Sequence, residues 1–465
     1  MPSNTDFASL PLLPALVESV ASLGYAQMTP IQAQALPAML EGRDVIAQAK
    51  TGSGKTAAFG LALLQRLQTN LFDVQALVIC PTRELSDQVG REIRALARNT
   101  PNVKLLTLCG GVPIRAHRES LEHGAHIVVG TPGRLRALLE KERLSLRALK
   151  VLVLDEADRM LEMGFEDDLR AIMKYAPVGR QTLLFSATYP EAIQEISAGY
   201  QRDPVRLTVD AVVDASQLEQ LAFGVGVSAN DRTQAVLALV THYRPQSTLV
   251  FCNTKEECNN LARALRHGGV HSLALHGDLE QRERDEVLVV FANHSCSVLV
   301  ATDVAARGLD IPDLECVINY ELSPDPSVHL HRVGRTGRAG KQGLALSLYR
   351  ADDTYRLQRI EQGLPAPLKR AKLPKLAADG GSPPQPSMVT LRIEGGRKDK
   401  LRPGDILGAL TGEGGIGGAQ VGKIQVTELR TYVAVSREIE ERALTQLQAG
   451  RIKKRKFRVS KVASG

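Results

Sequence analysis

The chain has 465 residues, 43% of them hydrophobic and 23% charged, which is the balance of a globular protein of about three domains and excludes a largely disordered one. Tryptophan is absent and aromatics make up only 4%, so the cores rest on Leu, Val, Ile and Ala, and base stacking on aromatic platforms is excluded as a general mode. The net charge is +7, and the whole positive excess lies from Val389 onward, where 16 Lys and Arg face 8 Asp and Glu for a net of +8. A phosphate polymer fits such a patch, because each neutralised phosphate releases counterions; a solubilising basic tail is the alternative that composition leaves open.

No apolar run approaches the ~20 residues of a membrane span, and the N-terminus lacks the basic and apolar regions of a signal peptide. The six cysteines (Cys80, Cys109, Cys252, Cys258, Cys296 and Cys316) include no CxxC pair and fall mostly in apolar runs. The expectation is a reducing, cytoplasmic location with no membrane partner.

Taken in chain order, short β-branched runs recur at Val45-Ile46-Ala47, Leu77-Val78-Ile79, Leu105 to Leu108, Ile127-Val128-Val129, Val151 to Leu154 and Leu183-Leu184-Phe185. Between them, stretches such as Ala57 to Arg66 and Leu85 to Ala97 have helical periodicity. This is the pattern of a parallel sheet covered on both faces. It starts again at Leu249-Val250-Phe251 and continues through Leu273-Ala274-Leu275, Val298-Leu299-Val300, Val317-Ile318 and Leu344 to Leu348. Two tandem α/β domains are predicted, residues 1–210 and 216–376, joined near Asp210 to Ser216. Residues 377–387, reading AADGGSPPQPS, form a linker by composition. Beyond it, 388–465 reads as a small α+β domain with the order strand, helix, two strands, helix, strand, which is the RNA-recognition-motif topology.

The first strand runs into Ala49-Lys50-Thr51-Gly52-Ser53-Gly54-Lys55-Thr56 and then a helix. Small residues there let backbone N–H groups wrap phosphate oxygens at a helix N-terminus, with Lys55 on the β and γ phosphates and the Thr56 hydroxyl on Mg²⁺. Ala49 stands where the general pattern has a glycine. A triphosphatase also needs a carboxylate for the metal and a group to orient water. The buried strand Val151 to Leu154 delivers Asp155-Glu156-Ala157-Asp158 at its C-terminal end, where ligands bind in open α/β sheets. Asp155 is expected to serve the metal and Glu156 the attacking water. Alone, these acids could instead belong to a surface helix N-terminus whose dipole they complement; with the loop upstream, they read as a site.

At this point the sequence resembles the DEAD-box RNA helicases in an ordered series of motifs across residues 7–340. Phe7 and the stretch Gly24-Tyr25 to Thr29-Pro30-Ile31-Gln32 resemble the adenine-reading element; a Gln amide pairs with N6 and N7 of adenine, so Gln32 would select ATP. Pro81-Thr82-Arg83-Glu84-Leu85, Gly110-Gly111 and Thr131-Pro132-Gly133-Arg134-Leu135 are similar to the family's strand-binding elements, each just after a predicted strand. Arg83, Gly110, Gly111, Thr131, Gly133 and Arg134 are thereby implied to meet RNA. Ser186-Ala187-Thr188 resembles the motif that links hydrolysis to strand separation, with Ser186 and Thr188 bonded to the acids at Asp158.

In the second domain, Phe251 to Thr254, Gln281 with Arg284, the run Ala301 to Ile311 and His331-Arg332-Val333-Gly334-Arg335-Thr336-Gly337-Arg338 continue the series. The resemblance implies that Arg335 and Arg338 act as arginine fingers, that Asp310 touches the ribose and that Thr302 and Arg307 contact RNA. It also implies two RecA-like domains, with ATP and Mg²⁺ as cofactors. Fingers on a domain without a phosphate loop make hydrolysis depend on closure, and are typically worth 10³ to 10⁵ in rate.

The tail departs from an ordinary RNA-recognition motif. Its first strand carries no aromatic residue and its third offers only Tyr432, so base stacking on the sheet is not expected. Basic residues cluster instead at Arg397, Lys398, Lys400 and Arg402, and at Arg451, Lys453, Lys454, Arg455, Lys456 and Arg458. The tail resembles that of a bacterial branch of the family. That resemblance implies recognition of a hairpin of large-subunit (23S) ribosomal RNA near the peptidyl transferase centre, with assembly intermediates of that subunit as partners. A monomer is expected. A DNA helicase on the same two domains is disfavoured by Gln32 and the tail, and a clamp without hydrolysis by Lys55, Glu156, Arg335 and Arg338. Zinc at His117, His123 and His126 lacks a fourth ligand.

Overall fold

The computed structural model describes residues 5–49, 52–209, 218–306, 314–337, 342–364, 366–374, 382–412 and 415–462. The chain divides near residues 212 and 213 into two compact units. The first holds a seven-stranded sheet of β1 (Val45–Gln48), β2 (Ala76–Ile79), β3 (Leu105–Leu108), β4 (Ile127–Gly130), β5 (Val151–Leu154), β6 (Gln181–Ser186) and β7 (Val205–Thr208). Its order is β3-β4-β2-β5-β6-β1-β7, parallel throughout. Both faces are apolar. Val45 and Ala47 of β1 join one core with Phe59 and Phe185, while Ile46 joins the other with Leu154 and Leu184. With helices on both sides, a buried strand needs no polar face.

The second unit repeats this plan with β8 (Leu218–Gly224), β9 (Thr248–Cys252), β10 (Ser272–Leu275), β11 (Val298–Thr302), β12 (Cys316–Asn319), β13 (Gly343–Tyr349) and β14 (Lys369–Ala371). The order is β10-β11-β9-β12-β13-β8-β14, again parallel. The same unit contains the antiparallel sheet of the tail, β15 (Met388–Ile393), β16 (Val421–Val426), β17 (Thr431–Ser436) and β18 (Val459–Lys461), in the order β16-β17-β15-β18. Two helices, Pro403–Thr411 and Glu440–Ala449, cover its apolar face.

Every strand run of the two α/β domains singled out above is a strand. Three further strands, β7, β8 and β14, carry weaker patterns. Val205–Thr208 alternates half-buried with exposed residues at a sheet edge, and Lys369–Ala371 is almost wholly exposed. The last strand, Val459–Lys461, follows a tight bridge between Ile452 and Arg455. The expected junction, 210–216, lies outside the described residues, as does 377–381 of the linker.

All six cysteines are buried. Burial pushes the thiols of Cys109 and Cys258 up to about 11 and that of Cys296 up to about 12. Ellman's reagent at pH 8 should therefore leave the folded protein unlabelled and titrate all six thiols after denaturation. Rapid reaction of two or more thiols in the native protein would contradict this packing.

Candidate active site

The loops that follow the strands of a parallel sheet all emerge at its carboxyl edge. In the first unit, neighbouring strands divide that edge in two. β5, β6 and β1 end in the acids, the Ser186-Ala187-Thr188 turn and the phosphate loop; β3, β4 and β2 end in the three strand-binding elements.

On the nucleotide half, Gly52 and Gly54 have φ of +84° and +90°, the left-handed region open to glycine. A Cβ on Gly54 would stand 2.6 Å from Gln32 Nε2, so the loop can approach the helix Pro30–Leu40 only as glycine. Gln32 is buried, and its amide serves the protein itself: Oε1 accepts from Thr29 N–H at 2.8 Å and Nε2 donates to the Gly54 carbonyl at 3.0 Å. Thr29 adds a bond from its hydroxyl to the Ser53 carbonyl. One lone pair and one hydrogen of the amide remain for a base. Phe7 is 3% exposed and packs within the first core.

Lys55 is buried, and its Nζ donates to the Ala49 carbonyl at 3.0 Å, holding the ammonium inside the loop it starts from. Thr56 follows in the helix Lys55–Gln65; Thr51 lies outside the described residues. Asp155 is 3% exposed and Glu156 7%. Burial pushes the Asp155 carboxyl up to about 6, against the pull of the nearby Lys55 ammonium. Glu156 is held at φ +53°, a conformation that costs a non-glycine residue of order 1–3 kcal/mol and concentrates at functional sites. The buried Oδ1 of Asp155 has no hydrogen-bond partner. An orphan carboxylate oxygen fits a magnesium ion shared between one acid and the phosphates of its nucleotide. No group of three or more His, Cys, Asp or Glu side chains able to hold a metal occurs among the described residues.

Asp158 ties the acids to the next strand. Its Oδ2 accepts from Ala187 N–H at 3.1 Å, Thr188 N–H at 3.0 Å and the Thr188 hydroxyl at 3.0 Å. The Ser186 hydroxyl, expected to share this role, is buried without a partner; its carbonyl instead accepts from Ala49 N–H.

On the other half, Arg83, Gly111 and Arg134 gather around a residue that no motif marks. Gly111 has φ +73°, and a Cβ there would collide with the Arg83 guanidinium. Arg134 Nη1 lies 2.8 Å from Nδ1 of His117, a buried histidine on the helix Ile114–Leu121. Burial and the two guanidiniums of Arg134 and Arg83 push this imidazole down to about 4, so at neutral pH it is uncharged and able to accept the bond. Thr131 immediately precedes the helix Pro132–Glu140, which carries Gly133 and Arg134. Gly110 has open space around it.

In the second unit, the organising residue is Arg332. Its side chain is 1% exposed and donates to Asp303 at 2.7 Å, to the Glu321 carbonyl at 2.6 Å and to Asn253 Oδ1 at 2.9 Å, with its guanidinium 5.1 Å from the centre of the Phe251 ring. It thereby joins three of the expected motifs, a part that its regular spacing with Arg335 did not reveal. Thr302 ends β11 and is buried, as is Arg335. Arg307, Asp310 and Arg338 lie outside the described residues.

In the tail, the two basic runs meet. Lys453 Nζ donates to the Lys400 carbonyl at 2.6 Å and pairs with Asp405 at 3.0 Å, while Arg455 faces Asp399 at 3.5 Å. Lys398, Lys400, Arg402, Lys453, Lys454 and Arg455 are all exposed. Lys400, Lys453 and Lys454 have positive φ values of 62°, 49° and 64°.

Three family models match successive parts of this chain: the DEAD/DEAH box helicase over residues 29–196, the helicase conserved C-terminal domain over 231–340 and the DbpA RNA binding domain over 390–461. The ATP-dependent RNA helicase DbpA of Escherichia coli (strain K12) is 52% identical over 456 residues, 98% of this chain and 99% of its own. The chain belongs to the DEAD-box ATP-dependent RNA helicases. The helicase is also 41% identical to CshA of Bacillus cereus, over 80% of this chain and 70% of that one. Among solved structures, S. cerevisiae Dbp5 bound to RNA and ADP BeF3 matches with a TM-score of 0.72 and 29% identity, over 79% of this chain and 96% of that one. Mss116p bound to ssRNA and AMP-PNP matches with a TM-score of 0.71 and 27% identity, over 80% of each chain.

Two outcomes are expected of the helicase. Since the Asp155 carboxyl sits at about 6 in the folded protein, above the ordinary 3.8, folding favours its protonated form. That stability is fully present below pH 3.8 and is lost as pH rises through 6. Without nucleotide or metal, Asp155→Asn should thus melt higher than the parent at pH 8, by roughly 1–3 kcal/mol, and show little difference at pH 4; equal melting at pH 8 would contradict the burial. Replacing His117 by Phe should weaken RNA binding about tenfold while ATP binding is kept, because a bond to a charged group is lost. His117→Gln keeps an acceptor and should bind as the parent does, as measured by fluorescence anisotropy with labelled RNA.

Proposed function

We propose that the helicase pries apart short RNA duplexes by closing on one strand when ATP is bound, and that its tail directs it to 23S ribosomal RNA of the large subunit in the course of ribosome assembly. The observation that carries the first part is the divided sheet edge: the triphosphate elements and the strand-binding elements sit on adjacent strand ends of one rigid sheet.

Within that scheme Lys55 and the N–H groups of Gly52, Ser53 and Gly54 hold the phosphates. Asp155 with Thr56 would hold magnesium, which supplies charge neutralisation on the phosphates when bound. Glu156 orients the attacking water, and its displaced backbone sets the carboxylate for that task. Gln32 reads the base with the lone pair and hydrogen that Thr29 and Gly54 leave it. Asp310 touches the ribose, and Arg335 and Arg338 offset the negative charge that develops on the transferred phosphoryl group. Thr188 and Asp158 relay the state of the triphosphate to the loop after β6. RNA is held by Arg83, Gly110, Gly111, Thr131, Gly133, Arg134, Thr302 and Arg307, mostly through its backbone, so sequence plays little part there. ATP and RNA then favour the same closed state and bind cooperatively.

The second part is supported by the match of residues 390–461 to the DbpA RNA binding domain and by the joined basic loops. Lys398, Lys400, Arg402, Lys453, Lys454 and Arg455 would grip a structured RNA through its phosphates. The protein acts in the cytoplasm as a monomer in this reading. Among the described residues no helix is long and apolar enough to cross a membrane.

An ATPase assay at fixed salt tests both parts. Fragments of 23S ribosomal RNA should stimulate turnover more than unrelated RNA of equal length, and deletion of residues 380–465 should erase that preference. Glu156→Gln should lose at least about a hundredfold in stimulated turnover while still binding ATP. Stimulation by DNA equal to that by RNA would sink the first part; equal stimulation by any RNA would sink the second.

A further inference from the structure

The two α/β sheets have the same strand order, so β8, β12 and β13 stand in the second where β1, β5 and β6 stand in the first. In the first sheet those strand ends carry the phosphate loop, the acids and the Ser186-Ala187-Thr188 turn. In the second the same place is filled from within. The helix Ala229–Tyr243 follows β8 as the helix Lys55–Gln65 follows β1, but its first turn is closed by a reciprocal cap. Asp231 N–H donates to the Ser228 hydroxyl at 3.1 Å, and Ser228 N–H donates to the Asp231 carboxylate at 3.0 Å. The next residue is Arg232, whose side chain is only 6% exposed.

A buried cation must be matched by acids, and Arg232 is matched by one from each neighbouring strand end. Its Nη1 donates to Glu321, just past β12, at 3.1 Å, and its Nη2 to Asp353, just past β13, at 2.9 Å. The guanidinium lies 5.8 Å from the centre of the Tyr320 ring. The two acids then differ. Asp353 bonds within its own turn, accepting from the Arg350 N–H at 3.1 Å and the Arg356 guanidinium at 3.2 Å. Glu321 reaches two of the family motifs. Its second carboxylate oxygen accepts from the Asn253 N–H at 3.1 Å, and its carbonyl accepts from Arg332 at 2.6 Å. Asn253 Oδ1 closes the triangle, accepting from Arg332 at 2.9 Å.

We infer that Arg232 is a positioning residue for hydrolysis: through Glu321 it sets the loop Phe251 to Thr254 and the end of the helix Pro326–Val333, from which Arg335 follows. It acts through these neighbours rather than on the reacting groups. A planar guanidinium suits the task, because its fork holds two carboxylates at fixed angles, which a single ammonium does not. The inference rests on the proposed part of Arg335 at the transferred phosphoryl group.

The test compares the two arms of one arginine in the full chain. Glu321→Gln keeps the shape but leaves one acceptor oxygen for the two bonds that the carboxylate accepts, and Asp353→Asn makes the matching change on the local arm. Both variants and Arg232→Lys are followed by thermal melting and by ATP turnover at saturating RNA. Glu321→Gln and Arg232→Lys should lower kcat about tenfold, the scale of a misplaced group. Their KM for ATP should stay within about twofold, since Gln32 and Lys55 lie in the first unit. Asp353→Asn should keep kcat within about twofold, whatever its effect on melting. If kcat falls alike in Glu321→Gln and Asp353→Asn, in step with the melting temperature, Arg232 only supports the fold and the inference is overturned. Parent-like kcat in a folded Glu321→Gln or Arg232→Lys protein overturns it as well. If Arg335→Ala keeps full turnover, the proposed finger fails instead, while the comparison of the two acids still decides whether Arg232 acts through Glu321.

Discussion

Everything in the first unit depends on the geometry of a parallel sheet whose two faces are both buried. With helices on each side, the only surface left to a ligand is the edge where the strands end, and every following loop must meet there. The order β3-β4-β2-β5-β6-β1 then decides which loops are neighbours. Two chemistries, triphosphate and polynucleotide, are thereby placed on one rigid body without any long-range device, and Asp158 with Thr188 is the bond that stitches two of those loops together.

Charge burial gives the site its tension. Lys55, Asp155, Glu156 and Asp158 are all nearly inaccessible, and such groups are tolerated only where they are paired or awaiting a partner. Lys55 rests on a carbonyl of its own loop and Asp158 is saturated by three donors, whereas one oxygen of Asp155 is left over. That oxygen is the group that a bound cation would satisfy. The second unit shows the opposite solution in Arg332, where a buried guanidinium is fully matched by acids, amides and an aromatic ring and so fixes loop positions.

Much of this was legible in the sequence, and the reason is locality. A phosphate loop, an acidic strand end or a Ser-Ala-Thr turn is written in a handful of adjacent residues, because one backbone segment must present several groups to one ligand. The strand runs were legible because both faces are apolar. What escaped was either two-sided or remote. Gln32 reads as a base-recognising amide, and nothing in its neighbours tells that Gly54 claims the other side of it. Lys369–Ala371 is too exposed to look like a strand. His117 is one histidine among several until the fold sets it under Arg134. Glu286 looks like any acid on a solvated helix, since its partners Arg392, Arg430 and Tyr432 lie more than a hundred residues away.

The left-handed backbone at Lys400, Lys453 and Lys454 has a consequence for the stability of the tail. Turns of that handedness favour glycine or asparagine, and lysine there costs about 1 kcal/mol at each position. Glycine at any of the three would relieve that cost. The sharp reversal that brings both basic loops together therefore leaves the domain short of the stability its backbone could reach.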